Sequence, residues 1–282
     1  MDIFSSLLFF FKIWGVNAAS GIHQENNQVY VVSDNSAYLY HYDIKHANLN
    51  RILLVADQNE EPIEKREKPD FEAICLMGDE LFVFGSGTKA NRENAYIYNK
   101  KTKKVDNQSL TPLYTALREA GGLDFKNFNI EGAAYKNGQW YFLSRGNGPL
   151  NKNIIFTFKG GRNLVDIPEH IQVHEMSLPQ LQGCPTGFSD GTIVKDRLYF
   201  IATAEDKAST YDDRTNKGSY IGYIDLGTWS LGPTHELSKS QKFEGLTLHK
   251  KAGHISSFLL CEDPDDVSAT YSSIFAYDFI DK

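Results

Sequence analysis

The chain has 282 residues, 41% hydrophobic and 13% aromatic, enough for one large domain or two ordinary ones with a substantial buried core. Tyr and Phe number 15 and 18 against 3 Met, which favours pleated, half-buried strands over helices. The net charge is −7 with no basic stripe, which argues against nucleic acid as a partner.

The first element is an apolar run, Ile3 to Phe11, followed by Lys12 and by Val16-Asn17-Ala18. The run is too short to span a bilayer, so no membrane association is expected. The small residues ending at Ala18 are compatible with leader cleavage, and export to the periplasm or medium is the alternative that follows from them. Met1-Asp2 carries no positive side chain ahead of the run, however, and Ile3–Trp14 is read as a structural strand.

A repeat begins directly afterwards. Its opening motifs are Ser20-Gly21-Ile22, Glu72-Ala73-Ile74, Glu131-Gly132-Ala133, Thr186-Gly187-Phe188 and Glu244-Gly245-Leu246. Each leads through a turn signal, such as Gly78-Asp79 or Asn137-Gly138, into a second apolar strand. These are Val29–Asp34, Leu81–Ser86, Trp140–Arg145, Leu198–Thr203 and Ser257–Glu262. The motif's central residue precedes the end of that strand by 13 residues in the first three repeats and by 16 and 17 in the last two. Third strands follow at 38–44, 95–99, 154–159, 220–226 and 273–279, four of them alternating with period two. Fourth strands are expected at 51–56, 172–178 and 230–237. In the second repeat that place is taken by Leu113–Ala120, which reads as a helix ending at Gly121-Gly122.

Four-stranded units repeated at this length predict an all-β fold, a single five-bladed β-propeller over residues 1–282. The blades are expected near 19–58, 70–120, 129–178, 185–237 and 242–279. The last has only three strands of its own, and residues 3–14 are the available donor of its outer strand, so the N-terminal strand closes the ring. An open pair of sheets does not account for five near-equal repeats.

In such a ring the motif residues and the ends of the second strands meet on one face. The first column is Ser20, Glu72, Glu131, Thr186 and Glu244, and the second is Asp34, Ser86, Arg145, Thr203 and Glu262. Crowded carboxylates raise one another's pKa unless a cation is present. Arg145 could supply one charge, and a divalent cation or a basic substrate the rest; oxygen ligands suit Ca²⁺ or Mg²⁺. Lys89, Arg92, Arg145, Lys152 and Arg214 lie in loops on the same face, able to hold an anionic group, beside the acidic Glu205, Asp206, Asp212 and Asp213. The competing account is structural: each Glu caps backbone N–H groups of a neighbouring blade.

The openings Phe71-Glu72-Ala73, Ile130-Glu131-Gly132 and Phe243-Glu244-Gly245, with Ala19-Ser20-Gly21-Ile22, resemble those of a bacterial propeller group that includes the phytase-like esterase domains and the SdiA-regulated-type proteins. The resemblance implies Glu72, Glu131 and Glu244 as ligands of a Ca²⁺ ion and Arg145 as the anion-binding residue.

Three functions follow as expectations. One is a metal-assisted hydrolase of a phosphoester, ester or sugar, with Glu131 and Arg145 catalytic and Ser20, Asp34, Glu72, Ser86, Arg92, Thr186, Glu244 and Glu262 binding the ligand. Another is a non-catalytic propeller holding a small molecule or peptide in the central funnel. The third is a glycosidase working with two carboxylates. Cys75, Cys184 and Cys261 form no pairing pattern, so free thiols, a reducing cytoplasmic compartment and a monomer are expected.

Overall fold

A computed structural model of the chain describes residues 6–59, 61–146, 148–205, 216–266 and 268–280. Strand β1 (Leu7–Trp14) is followed by β2 (Ala19–Glu25), β3 (Gln28–Ser33), β4 (Tyr38–Asp43) and β5 (Asn48–Leu53), the last four hydrogen-bonded in that order as one antiparallel sheet. The second sheet is β6 (Phe71–Met77), β7 (Glu80–Gly85), β8 (Asn94–Asn99) and β9 (Val105–Ser109). After helix α1 (Thr111–Gly121) comes the third, β10 (Ile130–Lys136), β11 (Gln139–Ser144), β12 (Asn153–Lys159) and β13 (Gln172–Met176). The fourth is β14 (Thr186–Val194), β15 (Arg197–Glu205), β16 (Asn216–Asp225) and β17 (Leu231–Ser238). The fifth is β18 (Lys242–Ala252), β19 (Ile255–Asp263) and β20 (Tyr271–Ile280), completed by β1.

The five sheets form the blades of a five-bladed propeller. The second strands are apolar on both faces because each blade is packed between two neighbours. Five buried clusters lie at the five blade boundaries. Between the second and third blades, Phe82 and Phe84 meet Trp140 and Phe142 edge to face, centroids 5.0–5.7 Å apart.

The ring closes through β1, which pairs antiparallel with β20 from Leu7↔Tyr277 to Trp14↔Tyr271. Ile13 is thereby fully buried in the cluster between the last and first blades. Of the expected Ile3–Trp14 strand, residues 3–5 lie outside the described residues.

The outer strand of the second blade departs from the sequence expectation. It is β9, Val-Asp-Asn-Gln-Ser, a polar edge strand without apolar alternation, and α1 follows it rather than replacing it. The helix sends Leu113, Tyr114 and Leu117 into the cluster between blades two and three, and ends on Gly122 in the left-handed conformation at φ 61°. The outer strand of the first blade, Asn48–Leu53, sits three residues earlier than expected. All three cysteines are free. Among the described residues, no helix is long and apolar enough to cross a membrane.

Candidate functional site

Every inner strand carries a β-bulge at the same height, close to its entry. The pairing skips Ser20 between Ala19↔Ser33 and Gly21↔Val32, and it skips Glu72, Glu131, Ser189 and Glu244 in the same way. A bulged residue has no partner of its own across the hairpin, so the backbone can re-aim its side chain.

The bulges correct the repeat alignment in two blades. In the fourth, the counterpart of the glutamates is Ser189 and not Thr186. Asp190 then precedes Thr203 by 13 residues, as Gly21 precedes Asp34, Ala73 precedes Ser86 and Gly132 precedes Arg145. In the fifth, the counterpart of Asp34 and Arg145 is Asp263, because Glu262 pairs with Phe243 ahead of the bulge.

Carboxylate oxygens of Glu72, Glu131 and Glu244, from three blades, all lie within 4.8 Å of one another. Glu131 and Glu244 are buried and Glu72 partly exposed. Asn129 Nδ2 donates to Glu131 Oε1 at 2.5 Å, while Arg145 Nη1 reaches Glu131 Oε2 at 3.4 Å and Glu244 Oε1 at 3.5 Å. Lys242 Nζ lies 3.2 Å from Glu244 Oε1, 3.1 Å from Asp263 and 3.3 Å from Asp265. Arg145 is fixed by its stem as well as its head: a Cβ on Gly187 would come within 2.5 Å of Arg145 Cγ, so glycine is needed beside it.

No hydrogen-bond donor among the described residues reaches the Glu72 carboxylate. Burial pushes its pKa well above the ordinary carboxylate range, and the charges of Glu131, Asp70, Asp34 and Glu244 push the same way. Its oxygens also lie within 4.8 Å of ligand atoms of Asp34 and Asp70. There, Lys68 bonds to Asp34 and, at 2.8 Å, to Asp70. Burial opposes the Lys68 charge, yet Asp34, Asp70 and Glu72 hold its pKa above the usual value.

Arg92, expected in a loop able to bind an anion, is buried. It donates to Asp70 at 2.7 Å and to the Lys65 carbonyl at 2.8 Å. Ser86 Oγ donates to the same Asp70 carboxylate at 2.5 Å. Ser20 Oγ donates to the Phe71 carbonyl of the next blade. Thr186 Oγ1 donates to Pro179 O at 2.7 Å, and Glu262 Oε1 accepts from Gln241 Nε2 at 3.0 Å, so neither joins the three glutamates. Lys152 pairs with Glu175 at 3.1 Å, and Lys89 is exposed. The Glu205 side chain, Asp206, Asp212, Asp213 and Arg214 lie outside the described residues.

A cavity of about 430 Å³ lies against the residues that flank the three glutamates; its lining includes Asp34, Lys68, Asp263 and Asp265, but not Glu72, Glu131, Glu244 or Arg145. Burial lifts the Asp265 pKa to about 6 against the pull of Lys242, with Asp263 adding to the rise. Sequence reasoning did not single out Lys68, Asp70, Asn129 or Lys242 for this region. Asp70, Asn129 and Lys242 each stand two residues before a bulged Glu, a third polar column that was there to be read. Asp190, fully buried, accepts from Leu246 N of the next blade and from Gly191 N, both at 2.7 Å. This is the interblade capping role considered for the glutamates, carried out by a different residue. Burial pushes its pKa well up despite those two donors.

The arrangement is an oxygen-rich funnel with more carboxylates than cations. Its donor set fits a hard divalent cation: three carboxylates converge, and one of them has no donor among the described residues.

The fold has neighbours among β-propellers of known structure. The Malassezia sympodialis allergen Mala s 1 is 10% identical, TM-score 0.58, over 95% of this chain and 96% of that one. Myxococcus xanthus glutaminyl cyclase is 9% identical, TM-score 0.55, over 98% of each chain. A luciferin-regenerating enzyme is 8% identical, TM-score 0.53, over 97% of this chain and 95% of that one. At such identities the likeness is one of fold. No curated protein matches the sequence. A family model does match, over residues 15–278, which takes in all five inner strands and their bulges, and the chain belongs to that family of unknown function, DUF6929.

Proposed function

We propose that the axial funnel binds Ca²⁺ through Glu72, Glu131 and Glu244 and is the centre of a metal-assisted hydrolase acting on a phosphoester, ester or sugar. The observation that carries this reading is Glu72: a carboxylate without a donor among the described residues, set against two others, is stabilised by a cation it shares with them. The motif resemblance to phytase-like propellers supports the same assignment. When bound, the cation would polarise a substrate oxygen as a Lewis acid.

The chain's own residues then have distinct tasks. Glu131, oriented by Asn129 and Arg145, receives the proton of an attacking water. Arg145 lies beside the carboxylates and offsets negative charge that develops on the substrate. The cavity of about 430 Å³ lined by Asp34, Lys68, Asp263 and Asp265 has room for a small substrate or a peptide end. The free cysteines support a reducing compartment, and we take the chain to be a monomer acting on small molecules.

A second reading is a non-catalytic binder of a cationic small molecule or peptide. It is supported by the fact that Lys68, Arg92, Arg145 and Lys242 are all engaged by carboxylates, which leaves none of these four for an anionic substrate group.

Calorimetric titration with Ca²⁺, together with turnover of generic phosphoester, carboxylester and glycoside substrates, tests the two. Glu131→Gln is expected to keep the fold and to reduce turnover at least about 100-fold. Ca²⁺ binding by the wild type with no turnover of any class would leave the binder.

A further inference from the structure

We infer that Asn129 supplies a fourth, neutral oxygen to the axial cation and that its amide makes the site one for Ca²⁺ rather than Mg²⁺. This rests on the proposal that the three glutamates bind a cation. Asn129 enters β10 two residues before Glu131, and its side chain is nine-tenths buried, at 9% exposure. Its backbone is held on both sides: the carbonyl accepts from Arg145 N at 2.8 Å and the N–H donates to Ser144 Oγ at 3.4 Å.

The amide orientation is set by chemistry. Nδ2 donates to Glu131 Oε1 at 2.5 Å, and a flipped amide would press two acceptor oxygens together. That leaves Oδ1 buried with no hydrogen-bond partner among the described residues. A buried carbonyl oxygen without a donor is rare in folded proteins and calls for an explanation such as an ion. This one belongs to the amide that sits on a carboxylate of the three-glutamate cluster.

The choice of ion follows from size and ligand type. Ca²⁺ takes six to eight oxygens, amide carbonyls among them, at about 2.3–2.6 Å, a sphere about 4.6–5.2 Å across. Mg²⁺ draws its ligands to about 2.0–2.1 Å and keeps several waters. Three carboxylate oxygens no more than 4.8 Å apart, joined by an amide carbonyl, make a cage of protein oxygens of the kind Ca²⁺ takes and Mg²⁺, which keeps its waters, seldom does.

The test uses the full chain. Ca²⁺ and Mg²⁺ affinities are measured by calorimetry. Coordinated waters are counted from Eu³⁺ luminescence lifetimes in H₂O and D₂O, with Eu³⁺ standing in for Ca²⁺. Asn129→Ala is expected to weaken Ca²⁺ binding at least about tenfold, to change Mg²⁺ binding little and to admit one more water to Eu³⁺. Asn129→Asp keeps an oxygen and is expected to retain Ca²⁺ binding and the wild-type water count. An unchanged water count in Asn129→Ala overturns the inference, even with reduced affinity, since Asn129 would then only orient Glu131. If Asn129→Ala does not fold, Asn129→Ser carries the same comparison, with the same expected extra water and the same overturning result. A wild type that binds neither Ca²⁺ nor Eu³⁺ defeats the axial-metal proposal itself, a failure distinct from that of Asn129 alone.

Discussion

A buried carboxylate that lies among others and has no donor among the described residues is costly to ionise, and Glu72 is in that position. Because its folded-state pKa lies above its unfolded value, the folded protein keeps a proton that the unfolded chain has lost. Stability from this group is full at low pH and falls as pH rises from the ordinary carboxylate range toward the raised value. Glu72→Gln keeps the shape and removes the charge. In chelator at pH 8 it is expected to raise Tm by about 2–4 °C, with the gain shrinking toward pH 4. Scanning calorimetry at several pH values checks this, and a variant less stable than the wild type at pH 8 would place an unseen donor on Glu72. Arg145 illustrates the opposite case. It touches Glu131 and Glu244 from different blades, so its charge is held in place by two carboxylates before any ligand arrives.

At the level of the strand, the bulge turned a repeat in sequence into a site in space. The inner-strand motifs were readable because glutamate followed by a small residue recurs at similar intervals, and the second strands because residues such as Leu81–Phe84 are continuously apolar. The fourth blade was misaligned by three residues because Gly187 imitates the glycine of the motif. A one-residue insertion in the pairing leaves no mark in composition; only the 13-residue spacing to Thr203 could have exposed it. β9 was missed for a different reason. An outer strand rests on the rest of the sheet along one edge and faces water, so Val105–Ser109 needs no apolar alternation.

Strand β1 was legible for the converse reason, since a free run of apolar residues had one open sheet to complete. Within it, Ile13 is buried and Phe9 is 56% exposed. Ile13→Ala is expected to cost about 2–4 kcal/mol in urea denaturation. Phe9→Ala is expected to cost less than about 0.5 kcal/mol. Equal costs would mean that β1 is held by its edge contacts rather than by the cluster beneath it.

For the whole ring, a cation on Glu72, Glu131 and Glu244 would bridge blades two, three and five, adding to the Arg145–Glu244 contact that already joins blades three and five. Ca²⁺ at 100 times its Kd should add about 2.7 kcal/mol of stability and raise Tm by about 5–10 °C. Differential scanning fluorimetry with and without chelator reads this directly, and Glu131→Gln should blunt the shift.

The closure by β1 also sets an order of events during synthesis. Trp14 and its partner Tyr271 are far apart in the sequence, and a ribosome adding about 5–20 residues per second needs roughly 13–50 s to travel between them. For that interval Leu-Leu-Phe-Phe-Phe-Lys-Ile-Trp is in the cell with no strand to lie against, while the blades made after it complete themselves in turn. The nascent chain is therefore most exposed to chaperones and to aggregation at this unpaired apolar strand, and translation of β20 releases it from both.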